Sequence, residues 1–117
     1  DLLTSIRIPV TWAGARFYFE KARDRQAWDF PLVNIASAME VSDGVIQRAR
    51  VVVNAVSCVP MRLTNVEEQI RGERVSEELA EAAGEVAVQG ARPLVHNRYK
   101  IPLMKNLVKR AIRDAQA

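Results

Sequence analysis

Two periods run through this chain, one after the other. From Phe30 to Val41 apolar and polar positions alternate, with Val33, Ile35, Met39 and Val41 on one side and Asn34, Ala36, Ala38 and Glu40 on the other. Ser42-Asp43-Gly44 follows. Asp-Gly between alternating runs signals a hairpin, because Gly tolerates positive φ. The returning run sets Val45, Ala49, Val51, Val53, Ala55 and Val59 against Arg48, Arg50 and Asn54. The pattern predicts an antiparallel hairpin from Phe30 to Val59 with one wet face. Upstream, Leu2 to Pro9 reads as a strand around Ile6 and Ile8, ended by Pro9, which cannot donate to a ladder. It is expected to join the hairpin. Arg16 to Arg25 mixes aromatics and charges; it fits a short helix or an irregular crossing, and periodicity does not decide between them.

After Pro60 the period becomes helical. Thr64-Asn65-Val66-Glu67 has the form of a capping box, in which the Thr hydroxyl and the Glu carboxylate satisfy orphan N–H groups. That helix is expected to stop at Gly72. Ser76 caps a second helix, with Leu79, Ala83 and Val86 on one stripe and Gly90 then Pro93 beyond its end. Pro102 suits the first turn of a third helix. Leu103, Met104, Leu107, Val108, Ala111 and Ile112 form its apolar stripe, with Lys105, Lys109, Arg110 and Arg113 opposite. Strands followed by helices predict an α+β fold, an antiparallel sheet of about three strands with one face covered by a group of three helices.

A length of 117 residues suits one domain, and 49% hydrophobic with 26% charged residues is the balance of a globular protein. No apolar run approaches a bilayer span. The single cysteine, Cys58, stands in an apolar stretch and is expected to be a small buried thiol. A chain that starts in mid-pattern at Asp1 is expected to be a fragment. The net charge of +3 is uneven: six basic residues and one acidic between Arg98 and Asp114 put +5 on the tail and leave −2 elsewhere. Nucleic acid is an unfitting partner, since neither aromatics nor Gly-rich clamps interleave with these cations. They read as the solvent side of a packed helix, or as a docking surface for an acidic partner in a stand-alone α+β interaction module.

Catalytic constellations are missing. One histidine, His96 beside Asn97, provides neither a zinc cluster nor a relay. No Gly-rich phosphate loop follows a strand. Glu67-Glu68 and Glu77-Glu78 fall near helix starts, where the dipole favours negative charge. The chain therefore has no catalytic residue and no metal ligand to nominate, and is expected to be non-catalytic alone. Lys21 to Asp29 is dense in charge just before a core strand. A cation there can meet a phosphate or a flavin dinucleotide held by a neighbouring domain; alternatively Lys21, Arg25 and Asp29 pair with one another.

The series Ile6-Arg7-Ile8-Pro9, Phe19-Glu20-Lys21 through Arg25 to Asp29-Phe30, and Val33-Asn34-Ile35-Ala36 resembles the C-terminal domain of the FAD-binding subunit of molybdenum hydroxylases, the xanthine dehydrogenase and carbon monoxide dehydrogenase flavoproteins. Pro60-Met61-Arg62, Glu67, Ile70 and Gly72 continue the match in order, as does Asn97-Arg98-Tyr99-Lys100-Ile101-Pro102-Leu103 running into Val108-Lys109-Arg110-Ala111. The resemblance covers nearly the whole chain. It implies a single C-terminal domain over residues 1–117, with FAD-binding domains preceding residue 1. It also implies partner subunits carrying the molybdenum cofactor and iron–sulfur clusters, whose electrons pass through FAD to an acceptor. Lys21 falls at the position of a family lysine near the FAD, and Leu3 at that of a leucine close to the flavin. The run Ala91-Arg92-Pro93-Leu94-Val95-His96-Asn97 departs from many relatives and places the chain nearer the bacterial aldehyde-oxidoreductase-like group. The expected home is the cytoplasm, or the periplasm for that group. The isolated domain is expected not to retain FAD, since one-sided contact rarely offsets the cost of immobilising a ligand.

Overall fold

The computed structural model describes residues 2–116. Four antiparallel strands, β1 (Arg16–Ala22), β2 (Val33–Ser42), β3 (Val45–Asn54) and β4 (Met61–Arg62), lie side by side in chain order. Three helices follow: α1 (Thr64–Ile70), α2 (Glu77–Ala87) and α3 (Lys100–Asp114). α3 lies on β2 and β1, α1 on β3, and α2 packs between the other two helices. The α+β layering agrees with the period change after Pro60.

The first strand is not the expected one. Leu2–Pro9 enters no sheet, and Arg16–Ala22 pairs with β2 from Arg16↔Met39 to Ala22↔Val33. Alternation in β1 is masked in the sequence because Phe17 and Phe19 point to the exposed face, while Tyr18 and Glu20 turn toward the helices. Tyr18 donates to Glu20, and burial together with that carboxylate pushes the phenol up to about 12.

The hairpin forms as the Asp-Gly signal indicates. Asp43 (φ 51) and Gly44 (φ 77) both take positive φ, the geometry that matches strand twist in a two-residue turn. Register slips by one residue just beyond it. Glu40 pairs with Arg48 but Val41 pairs with Ile46, so Gln47 bulges out. Ile46 is therefore fully buried where strict alternation favoured Val45. Beyond Asn54 the strand ends at Ala55 (φ 64), so Val59 and Cys58 are exposed. The buried thiol expected at Cys58 is corrected by this early ending.

The inward side chains Val33, Ile35, Met39, Ile46, Val51 and Val53 meet Val66, Ile70, Ala80, Ala83, Leu107, Val108 and Ile112 in one core. Ser76 caps α2 as its position suggests, its hydroxyl accepting from the Leu79 amide at 3.1 Å. Thr64 does not cap α1. It is the first helical residue, Leu63 holds the cap position without a side-chain bond, and Glu67 serves the sheet instead. Gly72 (φ 81) follows the helix end and donates to Ile46 at 2.7 Å.

Candidate functional site

Lys21 lies near the end of β1, opposite Asn34 of β2, on the sheet face away from the helices. The chain then leaves the sheet through a charged loop, and that loop returns to Lys21. The Asp29 carboxylate accepts from the amides of Asp24 at 2.9 Å and Arg25 at 2.8 Å. The Arg25 amide, chiefly, holds this carboxyl below the usual carboxylate range, with the nearby Lys21 charge contributing. Arg25 closes the loop through the Trp28 carbonyl at 2.9 Å and sits 3.7 Å from the Asp29 carboxylate.

The Lys21 ammonium donates to the main-chain carbonyl of Asp29. It forms no ion pair among the described residues, whereas Arg25 and Asp29 do. The alternative in which all three pair with one another thus holds for two of them. An ammonium has three donors, so two remain for a ligand. Lys21, Trp28, Asp29 and Phe30 line a hollow of about 460 Å³. Trp28 is 98% exposed and held at φ 51, and Phe30 is 89% exposed. Across the strand pair, the Asn34 side-chain oxygen is buried without a hydrogen-bond partner among the described residues. Two unburied rings and a cation with spare donors suit a planar, anionic group, whereas the buried Asn34 oxygen is not part of the lining. Leu3 is exposed and does not line this hollow.

A second hollow, about 300 Å³, lies past Asn54, beyond the same end of the sheet, between Val56, Met61, Arg92, Lys100, Ile101 and Met104. None of the residues nominated from sequence reaches it. His96 is exposed, and among the described residues no cluster of His, Cys, Asp and Glu could hold a metal ion.

The basic tail does not form an open cationic face. Lys105 pairs with Glu85, Lys109 with Glu81 and Arg113 with Glu77, so α3 spends these cations on α2. Arg110 reaches Glu20 of β1 at 2.5 Å. This cross-helix neutralisation removes the basis for the helix as a dock for an acidic partner. Sequence reasoning also missed Glu67, whose carboxylate binds Arg62, Arg50 and the Val51 amide. A signal existed: Arg50 and Arg62 lack acidic neighbours in their own strands.

The family model for the CO dehydrogenase flavoprotein C-terminal domain matches residues 17–115. The chain belongs to this family. Similar solved structures agree on the fold of this flavoprotein C-terminal domain. Quinoline 2-oxidoreductase from Pseudomonas putida 86 superposes with a TM-score of 0.78 at 24% identity over 87% of this chain. Carbon monoxide dehydrogenase from Hydrogenophaga pseudoflava, in a form lacking the Mo-pyranopterin moiety of its molybdenum cofactor, gives 0.79 at 24% identity over 88%. Reconstituted CO dehydrogenase from Oligotropha carboxidovorans gives 0.78 at 17% identity over 88%. The chain spans 37% of the length of each of these relatives. No curated protein matches the chain in sequence comparison. No helix among the described residues is long and apolar enough to cross a membrane.

Proposed function

We propose that this domain sits beside the flavin in the FAD-carrying subunit of a molybdenum hydroxylase, where it supports electron transfer and provides no group for the chemistry itself. The family match over residues 17–115 carries this reading. One similar structure is a Cu,Mo-CO dehydrogenase and another is a carbon monoxide dehydrogenase whose molybdenum cofactor lacks its Mo-pyranopterin moiety, and both support the wider assembly. In it, partner subunits hold the molybdenum cofactor and iron–sulfur clusters, and preceding domains of the same subunit make most of the FAD contacts. FAD supplies the electron carrier when bound. This chain's part is to close one side of its site: Lys21 offers a positive charge and two spare donors, Trp28 and Phe30 offer ring faces, and Leu3 offers an apolar contact.

The test is Lys21→Met in the full-length flavoprotein. Met keeps the length and removes the charge. A charge-assisted contact is worth about 1.5–3 kcal/mol, so FAD should bind about tenfold or more weakly, or its midpoint potential should shift. Substrate-driven reduction of the iron–sulfur clusters should be nearly unchanged. If affinity and potential both keep their wild-type values, Lys21 only holds the Asp29 loop and the domain is a scaffold.

A further inference from the structure

Of the basic residues on α3, Lys105, Lys109, Arg110 and Arg113 are all spent on carboxylates of α2 and β1. Lys100, in the first turn, is the exception. Its ammonium meets no acid among the described residues and donates instead to the Ala55 carbonyl at 2.5 Å. Ala55 stands just past β3 at φ 64, a left-handed conformation that persists in a non-glycine residue only when its surroundings hold it. Lys100 supplies that hold with one N–H, and two of its three donors stay free.

Lys100 also lines the hollow of about 300 Å³ past Asn54. The walls come from three parts of the chain: Val56 follows β3, Val88 follows α2, and Ile101 and Met104 open α3. Met104 is buried and the other three are half-buried, so the floor is apolar. Arg92 is exposed at the rim and enters no ion pair among the described residues. Asn97 accepts from the Leu94 amide at 2.6 Å through its side-chain oxygen, which leaves its NH₂ donors unspent. No carboxylate side chain belongs to the lining. These features select a ligand with two parts. A bare anion would leave the apolar floor against water, and a neutral apolar molecule would desolvate two cations without pairing them. The volume is at the lower end of small-molecule sites, about 300–1,000 Å³, so the apolar part is a single ring or a short chain.

We propose that this hollow binds a small monocarboxylate with an aryl or short alkyl body. The carboxylate lies between Lys100 and Arg92 with Asn97 donating alongside, and the body rests on Val56, Ile101 and Met104. None of these residues lines the hollow at Lys21, so the site is independent of any flavin contact there.

The test is a fluorine NMR titration of 4-(trifluoromethyl)benzoate into the full-length subunit, with a melting curve for every variant. Wild type should bind saturably at about 1 mM or tighter, and 4-(trifluoromethyl)benzyl alcohol at least about tenfold more weakly, because it lacks the charge-assisted contacts. Lys100→Met should weaken the benzoate about tenfold or more. Arg92→Met, which holds nothing in the fold, should weaken it about two- to fivefold and keeps the test decisive if Lys100→Met melts early through loss of its bond to Ala55. Ile101→Trp, which fills the hollow, should abolish binding. No saturable binding to the wild type overturns the site, and wild-type affinity in Ile101→Trp overturns it by placing the probe elsewhere. Equal affinity for acid and alcohol, or no weakening in either cation variant, overturns recognition of the carboxylate. Displacement by inorganic phosphate at matching concentration overturns the apolar body and leaves a plain anion site.

Discussion

Glu67 and Arg62 form a forked pair, with Arg62 Nε 2.8 Å from Oε1 and Nη2 2.6 Å from Oε2. The carboxylate is 1% exposed, and the same Oε1 accepts the Val51 amide at 3.0 Å. One side chain of α1 thus ties together β3 and β4, which share only the pairs Val52↔Arg62 and Val53↔Met61.

Glu67→Ala should therefore destabilise the domain by about 1–3 kcal/mol, because it strands a buried main-chain donor as well as removing the pair. The arginines are half exposed and rehydrate, which keeps the loss below that of a fully buried pair. A urea titration measures it. A loss below about 0.5 kcal/mol, typical of a surface substitution, would show that β4 and α1 hold together without this carboxylate.

The same carboxylate makes stability depend on acid. Burial alone would raise its pKa, but the Arg62 hydrogen bonds, the Val51 amide and the two arginine charges outweigh that and hold it below the usual glutamate value. In the window between the folded pKa and the unfolded value of about 4.3, the unfolded chain binds more protons, so stability rises with pH there. The contribution is complete above that window and is lost as pH falls through the folded value. Urea midpoints from pH 7 to pH 3 should fall more steeply for the wild type than for Glu67→Gln. Parallel curves would assign the acid sensitivity to other groups, such as Glu77 and Glu81, which Arg113 and Lys109 hold low.

Leu107 and Lys105 separate the two faces of α3. Leu107 is buried in the core, and Leu107→Ala should cost about 2–5 kcal/mol. Lys105 pairs with the exposed Glu85 on the rim, and Lys105→Ala should change stability by less than about 0.5 kcal/mol. Equal effects in denaturant would mean that the α2–α3 ion pairs carry the packing that the stripe is credited with here.

The helical stripes and the hairpin were legible because each is a local signal. Leu107, Val108, Ala111 and Ile112 recur at helical spacing whatever they pack against, and Asp43-Gly44 needs only its own φ angles. The candidate site was legible in part. Lys21 stood out as a cation before a core strand, while the hollow formed with Trp28 and Phe30 depends on how the Asp29 carboxylate folds the loop back.

Sequence by itself determined the α+β order, the turn, the apolar faces of α2 and α3, and the family to which the chain belongs. Tertiary structure alone decided that β1 begins at Arg16, that Gln47 bulges to bury Ile46, that Glu67 serves the sheet, and that α3's cations belong to α2. Periodicity states which residues avoid water but not which neighbour they avoid it with. Arg113 and Glu77, or Arg110 and Glu20, lie far apart along the chain, and only packing α3 across α2 and β1 brings each pair within reach.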